Sequence, residues 1–153
     1  MSGCPGSRSM WFEEKEDDGA PGGKVPSRLR QWPIQLHLVS PDAPYFREAD
    51  VLLAADCTAF AMGYFHEEYL KGRSLAILCP RLESEQEVYM EKIRSLVEDC
   101  RIASLTIAIM QVPCCRGIVG LVAKALSGVA RKVPIRVVVV GLQGNVLQDG
   151  PAE

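Results

Sequence analysis

The sequence predicts an α/β sandwich in which a mainly parallel sheet of about four to five strands is covered by helices. Short apolar runs bounded by turn residues recur along the chain, and such runs are typical of buried parallel strands. Helical patterns lie between successive runs, so the chain reads as strand–helix–strand units with right-handed crossovers and helices on both faces. We therefore expect a three-layer sandwich of the Rossmann-like type. At 153 residues, one domain is expected.

Three parts of the chain differ in composition. Residues 1–30 are rich in glycine, proline and acidic residues and show no apolar periodicity, which predicts a flexible N-terminal arm. Residues 31–147 predict a single α/β domain. Residues 148–153 follow a turn-rich GLQGN segment and predict a loose tail.

The strands of the predicted domain come from two kinds of pattern. Residues 34–39 alternate apolar and polar positions, which predicts a half-buried strand. The other predicted strands are continuous apolar runs, typical of strands buried on both faces; these are residues 51–55, 74–78, 105–110 and 135–140.

Helices are predicted between these strands. Residues 58–70 are expected to be helical in part. The clearest helix opens with Ser84 and Glu87, which have the spacing of a capping box. The apolar face that follows consists of Tyr89, Ile93, Leu96, Val97 and Cys100. Residues 117–129 predict a last helix, and its inward positions are Ile118, Leu121, Val122, Ala125 and Val129.

Composition argues against several classes of partner. The formal net charge of −2 gives no electrostatic reason to expect nucleic acid or an anionic membrane. The longest apolar runs are much shorter than the roughly 20 residues that a bilayer helix needs. The N-terminus also lacks the apolar core of a signal peptide. We therefore expect a cytoplasmic protein, in which cysteines stay reduced unless they are catalytic or bind metal.

Cysteines follow three of the predicted strands. Cys57, Cys79 and the adjacent pair Cys114 and Cys115 come directly after residues of successive apolar runs. Because parallel strands end at the same edge of a sheet, these thiols are expected to lie near the crevice where open α/β folds bind ligands. The pattern predicts a metal centre, an iron–sulfur centre or a redox-active thiol site. Cys100 instead shares a helix face with apolar residues and is predicted to be core.

The surroundings of these cysteines favour thiolate chemistry. Arg116 and the start of the predicted helix near residue 117 both stabilise a thiolate at Cys114 or Cys115. Neighbouring cysteines seldom ligate one ion together, so one of the pair is expected to ligate, with Cys114 favoured, while the other packs or acts as a resolving thiol. Cys4, in GCPGSR, is a candidate fourth sulfur. Three or four thiolates suit zinc or an iron–sulfur cluster.

Several blocks of the sequence resemble a known family. QWPIQLHLVSPDAPYF, ADVLLAADCTAFAMGYFH, LAILCPRL and IASLTIAIMQVPCCRGIVGLV, with GCPGS near the start, resemble the C-terminal α/β portion of a poorly characterised ferredoxin-related 4Fe–4S protein family of anaerobic bacteria and archaea. In that family a ferredoxin-like segment with closely spaced cysteines usually precedes this portion, and the sequence contains no such segment. The family also tends to have glycine after PCC, where this chain has Arg116. The resemblance implies iron–sulfur chemistry.

The leading hypothesis is an iron–sulfur (4Fe–4S) or metal-binding redox protein that transfers electrons to or from a ferredoxin-like carrier or redox enzyme. Its cofactor ligands are expected among Cys57, Cys79, Cys114, Cys115 and Cys4, with zinc as the alternative to the cluster. Two alternatives stay open. One is a thiol-based redox enzyme that uses Cys114 as nucleophile and Cys115 or Cys79 as resolving thiol. The other is a zinc-stabilised interaction module. Whether the protein is an enzyme, and which residues would be catalytic, stays open.

Overall fold

A computed structural model of the chain describes residues 8–13, 23–82 and 84–152. These residues form a central five-stranded sheet with flanking helices and, beside it, a two-stranded ribbon. The ribbon pairs β1 (Met10–Trp11) antiparallel with β2 (Gln31–Trp32). Within the described residues, no helix is both long and apolar enough to cross a membrane.

The central sheet confirms the predicted mainly parallel arrangement. Its strands are β3 (Asp50–Ala55), β4 (Ser74–Leu78), β5 (Ser104–Met110), β6 (Ile135–Val140) and β7 (Val146–Pro151). They lie in the order β4-β3-β5-β6-β7. The first four in this order run parallel, and β7 returns antiparallel to β6. The interior strands are apolar and buried along most of their length, as expected when both faces are covered.

The helical elements lie between the parallel strands. They are α1 (Thr58–Ala61), a π-helical turn (His66–Leu70), α2 (Gln86–Glu98), a 3₁₀ turn (Pro113–Cys115) and α3 (Arg116–Leu126). The helices α2 and α3 pack against each other. With right-handed crossovers, they share one face of the sheet, while residues 58–70 cover the opposite face. The predicted sandwich is therefore confirmed.

Strand order creates a switch point between β3 and β5. The chain leaves β3 to form β4 on one side and then crosses to form β5 on the other side of β3. Connections diverge to opposite faces at such a point, and a crevice opens beyond the carboxyl ends of the two strands.

The predicted inner faces of the helices are confirmed. The buried residues of α2 and the turn after it are Tyr89, Ile93, Leu96, Val97 and Cys100, and those of α3 are Ile118, Leu121, Val122 and Ala125. Val129 is also buried, but it lies beyond the end of α3 at Leu126. The last predicted helix is therefore shorter than expected at its carboxyl end.

The prediction of a strand over residues 34–39 is wrong. Gln35 pairs with Ile77 in an isolated parallel bridge, and residues 36–38 form a turn. The backbone N–H groups of Leu38 and Val39 donate to the carbonyl of Gln35 and close this turn. The ammonium group of Lys92 also donates hydrogen bonds to the backbone carbonyls of Leu36, His37 and Val39 at 3.0, 2.7 and 2.9 Å. Carbonyls that converge on one cation cannot form a regular strand ladder.

The predicted capping box is also wrong. Helix α2 begins at Gln86, and Glu85 occupies the N-cap position with no side-chain hydrogen bond to the helix. Ser84 therefore lies one residue before the N-cap and Glu87 is the second helical residue, so neither is at the position that a capping box requires.

The segment predicted as a loose tail contributes to the sheet. Residues 148–151 belong to β7, which pairs with β6 through backbone hydrogen bonds. Its polar, exposed sequence ends in Gly150 and Pro151, and proline is tolerated at the edge of a sheet. The prediction of a tail is therefore wrong for residues 148–151.

Part of the predicted N-terminal arm packs on the domain. Arg28 is buried, its backbone N–H donates to Nδ1 of His66 at 3.0 Å, and its guanidinium group pairs with Glu67 at 2.6 Å. The prediction of a flexible arm is therefore wrong for residues 28–30, and also for Met10–Trp11, which pair with β2. Residues 1–7 and 14–22 of that arm lie outside the described residues.

Candidate functional site

The predicted cysteines lie at the carboxyl edge of the sheet, on the turns that follow its parallel strands. Cys57 follows β3, Cys79 follows β4, and Cys114 and Cys115 follow β5. We call these four residues the carboxyl-edge thiols. Because β3 and β5 flank the switch point, Cys57 and the Cys114–Cys115 pair lie on its two sides. Cys79 lies one strand further out.

Cys115 is the buried member of the carboxyl-edge thiols. Its side chain is buried, and burial raises its pKa. A hydrogen bond with the backbone of Met110 opposes this rise, while the nearby thiols of Cys114 and Cys57 add to it. Cys115 is therefore a buried thiol, whereas Cys57 and Cys114 are exposed. The three thiols lie after the neighbouring strands β3 and β5, and their convergence into one site stays a prediction.

Local hydrogen bonds hold the turn after β3. The hydroxyl of Thr58 donates to the carbonyl of Ala55 at 2.8 Å, and the backbone N–H of Asp56 donates to the carbonyl of Leu78 at 3.1 Å. Thr58 is fully buried, so its hydroxyl fixes the start of α1 directly beside Cys57.

The turns after β4 and β5 are held against each other. The backbone N–H of Cys115 donates to the carbonyl of Val112 at 3.1 Å, which closes the 3₁₀ turn. A Cβ placed on Gly117 would lie 3.4 Å from Cβ of Pro80. The Cys79–Pro80 turn therefore packs against the first turn of α3, where Arg116 is exposed.

Cys100 and Cys4 do not belong to the carboxyl-edge thiols. Cys100 is buried against the carbonyl of Pro41, and its predicted core position is confirmed. Burial raises the pKa of this thiol as well. Cys4 lies outside the described residues. Among the side chains of residues 8–13, 23–82 and 84–152, no three of His, Cys, Asp or Glu are arranged as a group that could hold a metal ion.

A surface beside the thiols was not predicted from the sequence. It consists of residues 57–64, 111–117 and 141–145, which we call the three-loop surface. Phe60 is 93% exposed, Leu142 is 63% exposed and Tyr64 is 47% exposed. Among its residues only Arg116 is charged. The lack of charge was visible in the sequence, but the exposure of these apolar side chains depends on how the turns pack.

Comparison with known proteins gives one relative and one family. An uncharacterised protein from Archaeoglobus fulgidus is 28% identical over 118 residues, which cover 77% of this chain and 82% of the relative. No solved structure matches the chain at a significant level. The Rossmann-like domain family matches residues 43–153, a range that includes the whole central sheet and all four carboxyl-edge thiols. This chain therefore belongs to the Rossmann-like domain family.

Proposed function

We propose that the protein binds a 4Fe–4S cluster through its carboxyl-edge thiols and exchanges electrons with a ferredoxin-like carrier or a redox enzyme. One observation carries this proposal: Cys57 and the Cys114–Cys115 pair flank the switch point of the sheet. Open α/β sheets bind ligands in the crevice at such a point. Zinc is the alternative occupant, since it uses the same thiolate ligands.

Thiolates are the ligands that soft metals prefer, although no three ligand side chains of the described residues are grouped so that they could hold an ion. Cys57 and Cys114 are exposed, so their sulfurs are accessible for coordination. Arg116 and the N-terminus of α3 follow directly after Cys114 and Cys115. When bound, a 4Fe–4S cluster supplies a one-electron redox couple. In this assignment Cys57 and Cys114 ligate, Cys115 packs behind them, and Cys79 and Cys4 are the further candidate ligands.

The sequence resemblance to ferredoxin-related 4Fe–4S proteins of anaerobes supports the same chemistry. A reducing, cytoplasmic setting would keep the thiols free for coordination. The archaeal relative adds no function of its own, so the proposal depends on the placement of the thiols and on that resemblance.

Metal analysis of anaerobically purified protein tests this proposal. We expect iron and acid-labile sulfide in equal amounts, a brown colour with visible absorption, and loss of both in Cys57→Ser. Cys100→Ala is the matched control, because it removes a thiol from the core rather than from the carboxyl edge. A colourless protein without iron would contradict the cluster, and stoichiometric zinc in its place would support the alternative metal.

A second function is favoured by the contrast between neighbouring thiols. Cys114 is exposed while Cys115 is buried with a raised pKa. In thiol–disulfide exchange, the Cys114 thiolate would attack a disulfide of a partner protein, form a mixed disulfide and release one partner thiolate. A second thiolate, from Cys115 or Cys79, would then attack the Cys114 sulfur and release the other partner thiolate. The partner disulfide is reduced by two electrons, and two thiols of this chain are oxidised to a disulfide.

Mixed-disulfide trapping tests the second function on metal-free protein. If Cys114 is the attacking thiol, a double substitution of Cys79 and Cys115 by serine should accumulate a mixed disulfide with a model disulfide substrate. Cys114→Ser should form none. Uniformly slow alkylation of every thiol near neutral pH would contradict this function.

A further inference from the structure

A cavity lies at the edge of the sheet opposite to the carboxyl-edge thiols. Its volume is about 650 Å³, and it is lined by Arg73 and by residues 104–106, 134–136 and 149–151. These residues lie at the amino ends of the parallel strands β4, β5 and β6 and at the end of the antiparallel strand β7. Sites for small organic ligands have volumes of roughly 300–1,000 Å³. The cavity is therefore large enough for such a ligand and is separate from the thiols.

The charged side chains that line this cavity leave one positive charge uncompensated. Nε and Nη2 of Arg136 donate to the two carboxylate oxygens of Asp149, and the hydroxyl of Tyr69 donates to the same carboxylate at 3.3 Å. Arg73, in contrast, forms no ion pair within the part of the chain that the structure describes. With two arginines against one carboxylate, the lining has a net charge of +1, although the whole chain has a formal net charge of −2.

The guanidinium group of Arg73 is held in place and keeps donors for a ligand. Its Nη1 donates to the backbone carbonyl of Tyr69 at 2.6 Å, which fixes the side chain at the cavity. A guanidinium group has five N–H donors, and this hydrogen bond uses one of them. The others suit a carboxylate or a phosphate, because both accept two parallel hydrogen bonds from an arginine.

Two further carboxylates lie near the cavity but do not line it. Asp50 is exposed and accepts a hydrogen bond from the hydroxyl of Ser104 at 2.6 Å. The hydrogen bonds with Asp149 raise the pKa of Arg136, and Glu68 contributes to this rise as a more distant charge. An anion at Arg73 would therefore meet one carboxylate of the lining, Asp149, whose charge Arg136 already compensates.

Most of the remaining lining is apolar. Leu105, Pro134, Ile135 and Pro151 form this part of the wall. Thr106 adds a hydroxyl on the strand face that Arg136 occupies, because these two residues are partners in neighbouring parallel strands. An apolar wall with a few polar groups and one charged anchor is the usual composition of a small-ligand site.

We infer that this cavity binds a small organic anion, in which a carboxylate or phosphate group pairs with Arg73 and an apolar body contacts the wall of prolines and aliphatic side chains. The inference does not depend on the proposed metal centre, because the two sites lie at opposite edges of the sheet and share no residue.

Nuclear magnetic resonance titration of the isotope-labelled full chain tests the site. The probes are phenyl phosphate, benzoate, inorganic phosphate and benzyl alcohol. We expect one of the two aromatic anions to shift the amide signals of residues 104–106, 135–136 and 149–150, and the tighter of the two identifies the anionic group. Inorganic phosphate lacks the apolar body and benzyl alcohol lacks the charge, so both should bind more weakly.

Arg73→Gln tests the anchor. Loss of a charged hydrogen-bonding partner should weaken binding of the tighter anion at least about 10-fold, with circular dichroism as the check on folding. Arg73→Lys should cause a smaller loss, because it keeps the charge but not the planar fork. Arg94→Gln is the matched control: this arginine also donates to a backbone carbonyl, that of Ala125 at 3.1 Å, but it lies on α2. Its substitution should leave the affinity unchanged.

Several results would overturn the inference. One is the absence of shifts with either aromatic anion at concentrations of about 10 mM. Another is benzyl alcohol or inorganic phosphate that binds as tightly as the anions, which would remove the need for the charge or for the apolar wall. Shifts confined to the carboxyl edge, or an affinity that Arg73→Gln does not change, would place the anion elsewhere.

Discussion

Gly144 joins two of the loops around the thiols, and its substitution gives a quantitative test of their packing. It has a φ of +91°, and a Cβ there would lie closer than 3.0 Å to the carbonyl oxygen of Ala61. Backbone atoms cannot rotate out of the way as a flexible side chain can. Gly144→Ala is therefore expected to destabilise the protein through two separate effects.

The magnitudes of the two effects can be estimated. A non-glycine residue in the left-handed region costs about 1–2 kcal/mol, and overpacking against fixed atoms adds about 1–3 kcal/mol. We expect Gly144→Ala to lower the free energy of unfolding by about 2–5 kcal/mol, the sum of the two. Gly128 is the matched control, since it has a φ of +80° but no atom within 4 Å of an added Cβ. Gly128→Ala should lose about 1–2 kcal/mol, from the backbone effect alone.

Urea unfolding followed by tryptophan fluorescence measures both variants, and an unchanged m-value would validate the comparison. Equal losses in Gly144→Ala and Gly128→Ala would refute the reasoning, because the difference between them measures the contact with Ala61. An increase in stability in Gly144→Ala would refute the reasoning more strongly. It would mean that the lower conformational entropy of the unfolded chain outweighs any strain in the folded state.

Three further predictions concern other parts of the fold. Lys92→Met should lower the free energy of unfolding by about 1–3 kcal/mol, because three backbone carbonyls lose their donor; a urea midpoint equal to that of the native protein would argue against this role. Burial raises the pKa of Tyr69 to about 12. The neutral side chain therefore contributes fully to the free energy of unfolding below the unfolded pKa near 10, and this contribution is lost as pH rises toward 12. Unfolding curves measured across that range should show a smaller alkaline loss of stability in Tyr69→Phe. In metal-free protein, mass spectrometry should show Cys57 and Cys114 alkylated before the buried Cys115, and early modification of Cys115 would conflict with its burial.

The parallel core of the fold could be predicted because each of its strands has a recognisable local sequence pattern. Residues 51–55 and 105–110 are continuous apolar runs, and strands buried on both faces need little else. The position of the thiols followed from the same logic, since each one comes directly after such a run. The order of the strands could be obtained only from the structure, and that order shows that Cys57 and Cys114 flank the switch point.

Two of the errors involve contacts between residues distant in sequence, and a third involves backbone pairing between neighbouring strands. Residues 34–39 alternate as a strand does, but they form a turn in which the side chain of Lys92 donates hydrogen bonds to three backbone carbonyls. Arg28 sits in a polar segment and is buried by its pairing with Glu67, 39 positions away. Strand β7 has little apolar character, and its backbone pairing with β6 forms it. A local pattern contains none of this information.

The ligand arrangement was predicted least well. The sequence suggested that the cysteines gather, and the structure places Cys57 and Cys115 after neighbouring strands of the sheet, while a shared site stays a prediction. The sequence could not show that Cys79 follows β4, which is an edge strand of the sheet. Nor could it show that Phe60 and Leu142 surround the thiols with apolar surface, because exposure depends on the packing of turns rather than on residue type.

The antiparallel return of β7 has a practical consequence for handling the protein. Pro151 pairs with Arg136 near the amino end of β6, and the N–H of Ala152 donates to the carbonyl of Ile135 at 2.9 Å. The described chain therefore finishes at the opposite end of the sheet from the thiols, roughly 20 Å away along a strand of this length. A fluorophore or an immobilisation linker attached after residue 152 would leave the thiols facing solution, and would give a fixed reference point for distance measurements to labels on Cys57.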